Sequence, residues 1–306
     1  MKRRPKTTTR ILLLDLNNLV AKMTHAYRGI LGASGMPVGG IFGTVQFLRN
    51  FLVQHEHDMI VMAVDRGVPA FRTRVLPSYK RKRKEDRDKD PDKAAFFEEY
   101  RLQMEYVDRV LRPLGVHFAS ASGYEADDII GACTLRRFKG FPRTILSEDK
   151  DLIQLTGNGC RQFRPCKKEF VSEKPMCYVL RRAIWGDPSD GIVGVRGIGE
   201  VWSGRIVENV GAEDLDEFFE ALDPDEKHEA AVRENEETVR DNFRVMDLRR
   251  TARKANKKMH LEQSIYDRDS FQEVCREFHF RKFLESPNYY CAPFERASQF
   301  EEGRVD

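Results

Sequence analysis

Short apolar runs that end in aspartate constrain the fold more than any other feature of this sequence. The runs and the acids that follow them are 11–14 with Asp15, 60–64 with Asp65, and 145–146 with Asp149 and Asp151. Each pattern is typical of a buried parallel strand with a carboxylate at its carboxyl end. Residues 116–119 predict a further strand. Strands that alternate with helices predict an α/β fold with a mostly parallel central sheet and helices on both faces.

Residues 123–128, with the sequence GYEADD, place Glu125, Asp127 and Asp128 at the start of a helix predicted over 124–138. Acidic side chains often begin a helix because they complement the helix dipole, and alone this segment would indicate no more. Together with the acids at the strand ends, it predicts carboxylates that converge in the crevice at the carboxyl edge of the sheet. So many like charges require neutralisation, and hard divalent cations, magnesium or manganese, suit oxygen ligands.

A dense basic run, residues 80–84, follows Tyr79. Charge runs are usually solvated surface segments. Residues 94–111 predict one long amphipathic helix, and residues 160–172 predict a short hairpin or irregular strand pair. From residue 179 to about 285 the pattern is helical, so we place a boundary near residue 178.

A glycine-rich segment occupies residues 186–199, and we call it the glycine segment. Its notable residues are Asp187, Asp190, Gly194, Gly197 and Gly199. Glycines let a backbone approach a phosphate closely, and the helix predicted to follow offers free N–H groups. The segment therefore predicts a helix-hairpin-helix grip on a nucleic-acid backbone that is independent of base sequence. The G-x-G pattern alone is weak evidence, because tight helix–helix turns also use it. The two acids just upstream, Asp187 and Asp190, make the prediction stronger.

The overall composition fits a protein that holds metals in one place and a polyanion in another. Charged residues make up 33% of the 306 residues, and the net charge is only +3 because 52 bases nearly balance 49 acids. The acids cluster at strand ends and the bases cluster elsewhere. The six cysteines form no CxxC pair and indicate reduced thiols. The basic start is followed by too few apolar residues for a signal peptide, and no stretch is long enough to span a bilayer. We expect a soluble, cytoplasmic protein.

In combination, these motifs resemble the 5′-nuclease superfamily of flap endonucleases and 5′–3′ exonucleases, especially the bacteriophage members and the N-terminal domain of bacterial DNA polymerase I. The resemblance runs from about residue 10 to about residue 250. The motifs that carry it are Asp15 with Asn18, Asp65-Arg66-Gly67 with Pro69 and Arg72, Tyr79-Lys80 with Arg83, GYEADD, Asp149-Lys150-Asp151-Leu152, and Gly186-Asp187-x-x-Asp190 before Gly197-Ile198-Gly199.

The resemblance implies a PIN-like core over residues 1–178 with a helical arch at about 79–110. It also implies a helical DNA-binding region over 179–306 with a helix-three-turn-helix element at about 179–210. Two magnesium or manganese ions are implied. The residues matched to the first metal site are Asp15, Asp65, Glu125 and Asp127. Those matched to the second are Asp149, Asp151 and Asp190, with Asp127 between the sites. Asp128 and Asp187 match acids that hold metal-bound water or support the ligands.

The same resemblance assigns roles to basic residues. Lys80 matches the residue at the base of the arch that touches the scissile phosphate, and Lys22 stands where phage relatives carry an arginine with that task. Tyr79 and Arg83 complete the expected catalytic group. The residues expected to bind nucleic acid are Arg72, Arg81, Lys82, Lys84, Gly194, Arg196, Gly197, Gly199 and Arg205. The glycine segment is expected to hold a potassium ion through backbone carbonyls. Gly191 and Arg196 depart from the family, which often has asparagine and proline there.

The implied function is that of a structure-specific, metal-dependent 5′–3′ exonuclease and flap endonuclease using two metals. Expected partners are 5′ flaps, duplex and single-strand ends, RNA–DNA hybrids and replication proteins, with a monomeric chain in a prokaryotic or phage-infected cell. Two alternatives stay open. A PIN-type ribonuclease shares the acidic core but lacks the glycine segment and the arch. A non-catalytic DNA-structure-binding protein would be expected to have lost some acids, and this chain retains them all.

Overall fold

A seven-stranded sheet forms the centre of the molecule. The computed structural model describes residues 9–81, 90–212 and 214–298. The strands, including a separate two-stranded hairpin of β7 and β8, are β1 Ile11–Asp15, β2 Met59–Ala63, β3 Val116–Ser120, β4 Arg143–Leu146, β5 Cys160–Arg164, β6 Glu169–Phe170, β7 Gly186–Asp187, β8 Ile192–Val193 and β9 His260–Glu262. The order in the large sheet is β6-β5-β4-β1-β2-β3-β9. The five central strands are parallel and the two edge strands run antiparallel, so the predicted mostly parallel sheet is confirmed.

The helices lie on both faces of this sheet and in a C-terminal helical region. They are α1 Leu16–Ala26, α2 Gly39–Gln54, α3 Ala70–Val75, α4 Pro91–Met104, α5 Val107–Leu111, α6 Ala126–Ala132, α7 Pro175–Trp185, α8 Glu200–Val210, α9 Leu215–Ala221, α10 Lys227–Glu234, α11 Glu236–Met246, α12 Leu248–Lys258, α13 Arg268–Glu277, α14 Arg281–Glu285 and α15 Pro287–Ala297. A π-helix, Cys133–Arg137, continues α6, and short 3-10 helices lie at Ala33–Gly35 and Lys150–Leu155. Among the described helices, none is long and apolar enough to cross a membrane.

The two faces of the sheet build two apolar cores. Leu12 and Leu14 of β1 point to one core, and Ile11 and Leu13 point to the other. The first core is completed by α1, α2, α5 and the last three helices, and the second by α6, the π-helix and α12. Because both faces are covered by helices, the strands carry apolar residues at successive positions rather than alternating with polar ones. The predicted helices on both faces are confirmed.

A third core lies in the C-terminal helical region. It is built by α7 through α11 and joined by Ile153 from the 3-10 helix. Asn242 of α11 fastens the small hairpin to this region, because its Nδ2 donates to the carbonyls of Ala183 and Val193 at 2.9 and 2.8 Å. Asn242 thereby holds the hairpin, which is the first part of the glycine segment, beside α7.

Two predicted helical stretches differ from the structure. The helix predicted over 94–111 is two helices, α4 and α5, separated by a turn at 105–106, and the buried Gln103 at the end of α4 accepts hydrogen bonds from α2. The stretch expected to be helical up to about 285 contains β9, which pairs with β3. Beyond it, α13 to α15 pack against the first core, so the chain returns to the sheet after the helical region. The division into two regions at residue 178 stays a prediction.

Candidate active site

The acidic residues predicted to bind metal line one cavity of about 340 Å³ at the carboxyl edge of the sheet, which we call the acid pocket. Its carboxylates are those of Asp15, Asp65, Glu125, Asp127, Asp149, Asp151, Asp187 and Asp190. Tyr79, Lys80 and Tyr100 also line it. The structure therefore brings together eight of the nine predicted metal ligands, and Asp128 is the exception.

Local hydrogen bonds fix several of these carboxylates. Asp15 ends β1 and caps α1, because its Oδ1 accepts the Asn18 N–H at 2.9 Å. Asp65 follows β2, and its Oδ1 accepts the Ala126 N–H at 2.6 Å. Asp15 thus caps α1 while it faces the pocket, and Asp65 binds the first N–H of α6, whose N-cap is Glu125. Asp15 and Glu125 each start a helix and also line the pocket, so the structural and the functional explanation hold for the same side chains.

The second group of acids is held by the loop after β4 and by α7. Asp149 caps the 3-10 helix, accepting the Asp151 N–H at 2.8 Å. Asp151 Oδ1 accepts the Tyr178 hydroxyl at 2.8 Å, and Asp187 forms an ion pair with Arg182. Neither Tyr178 nor Arg182 was predicted. Their spacing of four on α7, directly before Asp187, was the available signal, because it places both on one face of the helix.

Repulsion within the acid pocket favours a bound cation. Burial and the nearby charges of Asp149 and Asp15 raise the pKa of Asp127 well above its ordinary value. Burial likewise raises the pKa values of Asp15 and Asp151, with additional repulsion from Asp65 and Asp149 respectively. Among the described residues, the buried Oδ1 of Asp127 has no hydrogen-bond partner.

The donor set of the acid pocket, all carboxylate oxygens, is the chemistry that magnesium and manganese prefer. Among the described residues, no group of three or more acidic, histidine or cysteine side chains is already arranged to hold a metal ion. The acid pocket therefore fits divalent cations by the chemistry of its oxygens and not by a preformed ligand geometry.

These raised pKa values predict how the stability of the metal-free protein depends on pH. Between about pH 4, the ordinary value for aspartate, and the raised pKa of about 7 for Asp15, the folded carboxyl keeps a proton that the unfolded one has lost. The free energy of unfolding without metal should therefore fall as the pH rises through this window. Bound magnesium relieves the repulsion, so we expect a larger increase of Tm by magnesium at pH 8 than at pH 5.5. Thermal unfolding with magnesium or with chelator checks this, and equal increases at both pH values would contradict it.

Arg72 was predicted to bind nucleic acid, and that prediction is wrong in this structure. Its side chain is 2% exposed and pairs with Glu125 and Asp128. Its Nε donates to the Val245 carbonyl at 2.9 Å. Asp128, fully buried, also accepts the Thr251 hydroxyl at 2.6 Å. Asp128 therefore binds Arg72 and Thr251 instead of facing the acid pocket. Arg72 and Asp128 both position Glu125, because Arg72 pairs with its carboxylate and Asp128 accepts its N–H.

Replacement of Arg72 by alanine should destabilise the protein strongly. The change leaves Asp128 buried without its cation, and breaking a buried pair in this way typically costs about 3–5 kcal/mol. We expect a loss of that order in the free energy of unfolding measured with urea. Arg74 is on the same helix but exposed, so Arg74→Ala is the matched control and should change stability by about 0.5 kcal/mol or less. A loss below about 1 kcal/mol for Arg72→Ala would contradict the structural role.

The base of the predicted arch lies inside the acid pocket. Lys80 and Tyr79 both bond to Glu125, Lys80 through an ion pair and Tyr79 through its hydroxyl at 3.2 Å. Burial works against the charged form of Lys80, but Tyr79, Glu125 and Asp190 outweigh it and raise its pKa. The pKa of Glu125 is lowered, because Lys80 and Arg72 overcome the opposing effect of burial. Two of the four side chains expected to be catalytic, Lys80 and Tyr79, therefore contact a predicted metal ligand.

A close contact joins the arch base to the loop that carries Asp187 and Asp190. The Lys80 N–H donates to the Asp190 carbonyl at 2.8 Å, and Lys80 has a left-handed φ of 55°. Gly191 has a φ of +72°, and a Cβ there would lie 2.6 Å from the Ser78 carbonyl oxygen. Glycine is thus required at 191, which gives a physical reason for this departure from the family.

Other predicted basic residues are placed differently. Lys22 is exposed on α1 and lines a neighbouring cavity of about 170 Å³ that shares Asp15 and Asn18 with the acid pocket, so the structure does not bring it beside Lys80. Arg81 is exposed at the end of the arch base. Lys82, Arg83 and Lys84 lie outside the described residues.

The glycine segment presents open backbone at two of its three predicted glycines. A Cβ at Gly197 or Gly199 would meet no atom within 4 Å, and Arg196 and Arg205 are exposed nearby. Gly199 is also the residue before α8, and no side-chain hydrogen bond caps the start of this helix in the described part of the chain. Gly194 differs, because a Cβ there would lie 1.9 Å from the Trp185 carbonyl oxygen. Glycine at 194 is thus required by the packing of the hairpin, and its contact with phosphate stays a prediction.

Gly199→Val tests the remaining part of the glycine segment. Gly199 has a φ of −94°, which valine adopts without strain, whereas Gly197 has a φ of +84° and its replacement would strain the backbone. If the backbone at Gly199 contacts a phosphate, valine should block one charge-assisted hydrogen bond, worth about 1.5–3 kcal/mol, and weaken duplex binding roughly 10- to 100-fold. Fluorescence anisotropy with duplexes of two sequences measures this, with unchanged Tm as the folding control. A loss confined to one sequence would contradict a phosphate contact.

Comparison with known proteins identifies the family. Residues 10–178 match the model of the 5′-3′ exonuclease, N-terminal resolvase-like domain. The chain belongs to this 5′–3′ exonuclease family. It is 30% identical over 223 residues to the thermostable DNA polymerase I of Thermus thermophilus, covering 70% of this chain and 25% of that protein. It is also 30% identical over 221 residues to a 5′-3′ exonuclease of Streptomyces coelicolor, covering 65% of this chain and 72% of that protein. The chain thus spans about a quarter of the length of the DNA polymerase I relatives it matches.

Solved structures share the fold of this family member. The 5′-exonuclease of bacteriophage T5 with bound zinc superposes with a TM-score of 0.68 at 18% identity, covering 89% of this chain and 98% of that one. The T5 flap endonuclease in a pseudo-enzyme–product complex with DNA and metal ions superposes with a TM-score of 0.64 at 18% identity, covering 95% and 100%. The fold predicted from the resemblance is therefore confirmed.

Proposed function

We propose that this 5′–3′ exonuclease family member is a divalent-metal-dependent 5′-nuclease that hydrolyses phosphodiester bonds near the 5′ end of DNA, as exonuclease and as flap endonuclease. The observation that carries the proposal is the acid pocket, in which eight carboxylates converge beside Lys80. An anionic substrate would not enter such a pocket unless cations neutralised it. A site that needs cations and carries one lysine is suited to phosphate chemistry.

Each residue has a proposed role. Asp15, Asp65, Glu125 and Asp127 hold one cation, and Asp149, Asp151 and Asp190 hold the other, with Asp127 shared. Two magnesium or manganese ions there would supply an activated water and neutralise charge on the phosphate. Lys80 contributes a further positive charge at the scissile phosphate. For Lys80 to do so it must leave Glu125, and Arg72 remains to hold that carboxylate.

The glycine segment supplies the grip on duplex DNA in this proposal. Its open backbone at Gly197 and Gly199 suits phosphate contacts, and a potassium ion held by its carbonyls belongs to the same proposal. Because such contacts read the backbone, RNA–DNA hybrids are included among the substrates. We also propose that the chain acts as a monomer and meets replication proteins on DNA.

Two competing functions have less support. A PIN-type ribonuclease shares the acidic core, but the glycine segment and the arch base contact between Ser78 and Gly191 have no use in it. A non-catalytic DNA-structure-binding protein could dispense with some carboxylates, whereas the acid pocket contains eight.

A cleavage assay separates these functions. The purified chain is incubated with a 5′-labelled flap duplex, a blunt duplex, single-stranded DNA and single-stranded RNA, each with magnesium, manganese, calcium or chelator. We expect cleavage of the flap near its junction and stepwise degradation of the duplex with magnesium or manganese. Asp127→Asn, prepared in parallel, controls for a contaminating nuclease. Preferential RNA cleavage would favour the ribonuclease, and tight flap binding without cleavage would favour the binding protein.

A further inference from the structure

Helix α12 has one face in the protein and one in solvent. Leu248, Thr251, Ala252 and Ala255 are buried against the second core. The opposite side, which we call the basic face, consists of the exposed residues Arg250, Arg253, Lys254, Lys257 and Lys258. The helix contains no acidic residue. Because its apolar side is already covered, α12 has no apolar face left for a membrane or for a protein partner.

The cations of the basic face lack ionic partners in the described part of the chain. Within residues 9–81, 90–212 and 214–298, none of the five forms a salt bridge with a carboxylate. Other exposed arginines of the molecule do: Arg109 pairs with Glu277 and Arg240 with Asp216. Arg249, the remaining base of α12, pairs with Asp247. Five unneutralised charges lie on a helix about 16 Å long, so they repel one another and favour a bound polyanion.

The basic face lies beside the acid pocket. Leu248, the first residue of α12, lines that pocket, and the helix packs along α6. The Thr251 hydroxyl donates to Asp128, which fixes α12 to the helix that carries Asp127. At the far end, the Lys258 ammonium lies 5.8 Å from the centre of the Tyr124 ring, next to Glu125 in the chain. A strand with one phosphate in the acid pocket would therefore pass close to the basic face.

We propose that the basic face of α12 binds the phosphate backbone of the nucleic acid whose scissile phosphate occupies the acid pocket. This inference rests on the proposed nuclease function and adds a second contact surface to the glycine segment. The exposed side of α12 carries no aromatic residue on which a base could stack, so the contacts are electrostatic and independent of sequence. The partner chemistry is a regularly spaced row of phosphates.

Salt dependence of DNA binding tests the proposal. The test variant is Arg253→Ala, Lys254→Ala, Lys257→Ala, because these three side chains lie in solvent and alanine favours the helix. The control variant is Arg276→Ala, Arg281→Ala, Lys282→Ala, which removes the same charge from exposed positions on the opposite face of the sheet. Both are measured by anisotropy with a 5′-flap duplex in calcium at several salt concentrations, after circular dichroism has shown an unchanged helix content.

The expected result is a salt slope that falls by roughly two to three in the test variant, since each lost phosphate contact removes about 0.9 from the slope. Its Kd should rise about tenfold or more at 0.1 M salt, while the control should change the slope by well under one. Equal changes in both variants, or an unchanged slope in the test variant, would overturn the proposal. So would binding to phosphatidylserine vesicles that depends on these residues while DNA binding does not.

Failure of this inference differs from failure of the proposed function. If the wild-type protein cuts the flap with magnesium but the two variants have the same salt slope, only the basic face is wrong. If the wild-type protein does not cut at all, the nuclease proposal is wrong. A flap duplex and the same duplex without its flap, compared in both variants, assign the lost contacts to the single strand or to the duplex.

Discussion

Replacing Asp127 with asparagine is expected to abolish cleavage while DNA binding survives. Asparagine keeps the shape of aspartate but lacks its charge, and Asp127 is the carboxylate proposed to hold both cations. Loss of the cations removes several kcal/mol of transition-state stabilisation, so single-turnover cleavage should slow by roughly 10³-fold or more. Cleavage is measured with magnesium, and binding is measured with calcium to separate affinity from chemistry.

The thermal stability of Asp127→Asn shows whether a loss of cleavage is caused by a loss of metal binding. The pKa of Asp127 is raised by burial and by Asp149 and Asp15, so the wild-type charge is unfavourable without metal. Asparagine removes that repulsion, and Tm without metal at pH 8 should rise, while the increase of Tm by magnesium should shrink. Asp225→Asn, at an exposed site distant in sequence, is the control. Wild-type cleavage by Asp127→Asn would refute the two-metal assignment.

Replacing Lys80 with alanine is expected to slow the chemical step by about 10²–10³-fold at saturating enzyme, the usual loss for one electrostatic donor in an active site. Lys80 is the basic residue of the 80–84 run that lines the acid pocket in the structure. Its ammonium forms an ion pair with Glu125. A charge that acts mainly in the transition state lowers the rate more than it lowers binding. Single-turnover cleavage of a flap duplex at saturating enzyme measures this effect.

Neighbouring bases of the same run serve as matched controls for Lys80. Lys82→Ala and Lys84→Ala should each weaken affinity and reduce the salt dependence of binding, with the saturated rate nearly intact. Similar small effects at all three lysines would mean that the run only attracts DNA. In that case Lys80 has no place in the catalytic group.

The strands and their acids were predictable because both depend on local sequence. Each strand is buried on both faces, so its run of apolar residues can be recognised without knowing which strands lie beside it. A carboxylate at the end of such a strand lies at the carboxyl edge of a parallel sheet. Asp15 and Asp65 therefore lie in the acid pocket where the pattern places them. The order of the strands, with β1 at the centre, depends on long-range pairing and has no local signal.

Arg72, whose burial the sequence did not predict, has partners far away in the chain. Arg72 is buried because Glu125 and Asp128, more than fifty positions later, neutralise it. An arginine in a basic sequence indicates surface exposure until that pairing is known. Gly194 resembles a phosphate-binding glycine in the sequence, and only the packing of the Trp185 carbonyl shows another requirement. The strand β9 is three residues long, too short for periodicity to distinguish it from a helix end.

The return of β9 and the last helices to the sheet makes the α/β core discontinuous in sequence. Helices α7 to α11 are inserted between two parts of one folding unit, since residues before them and residues 260–297 share the first core. An inserted region is tethered at two ends, and its independent rotation is restricted compared with a domain on a single linker. Asp187 and Asp190 of the glycine segment line the acid pocket, while its last residue, Gly199, precedes α8. Under the proposed function, the few residues from Asp190 to Gly199 would set the separation between the duplex contact and the bond that is cleaved.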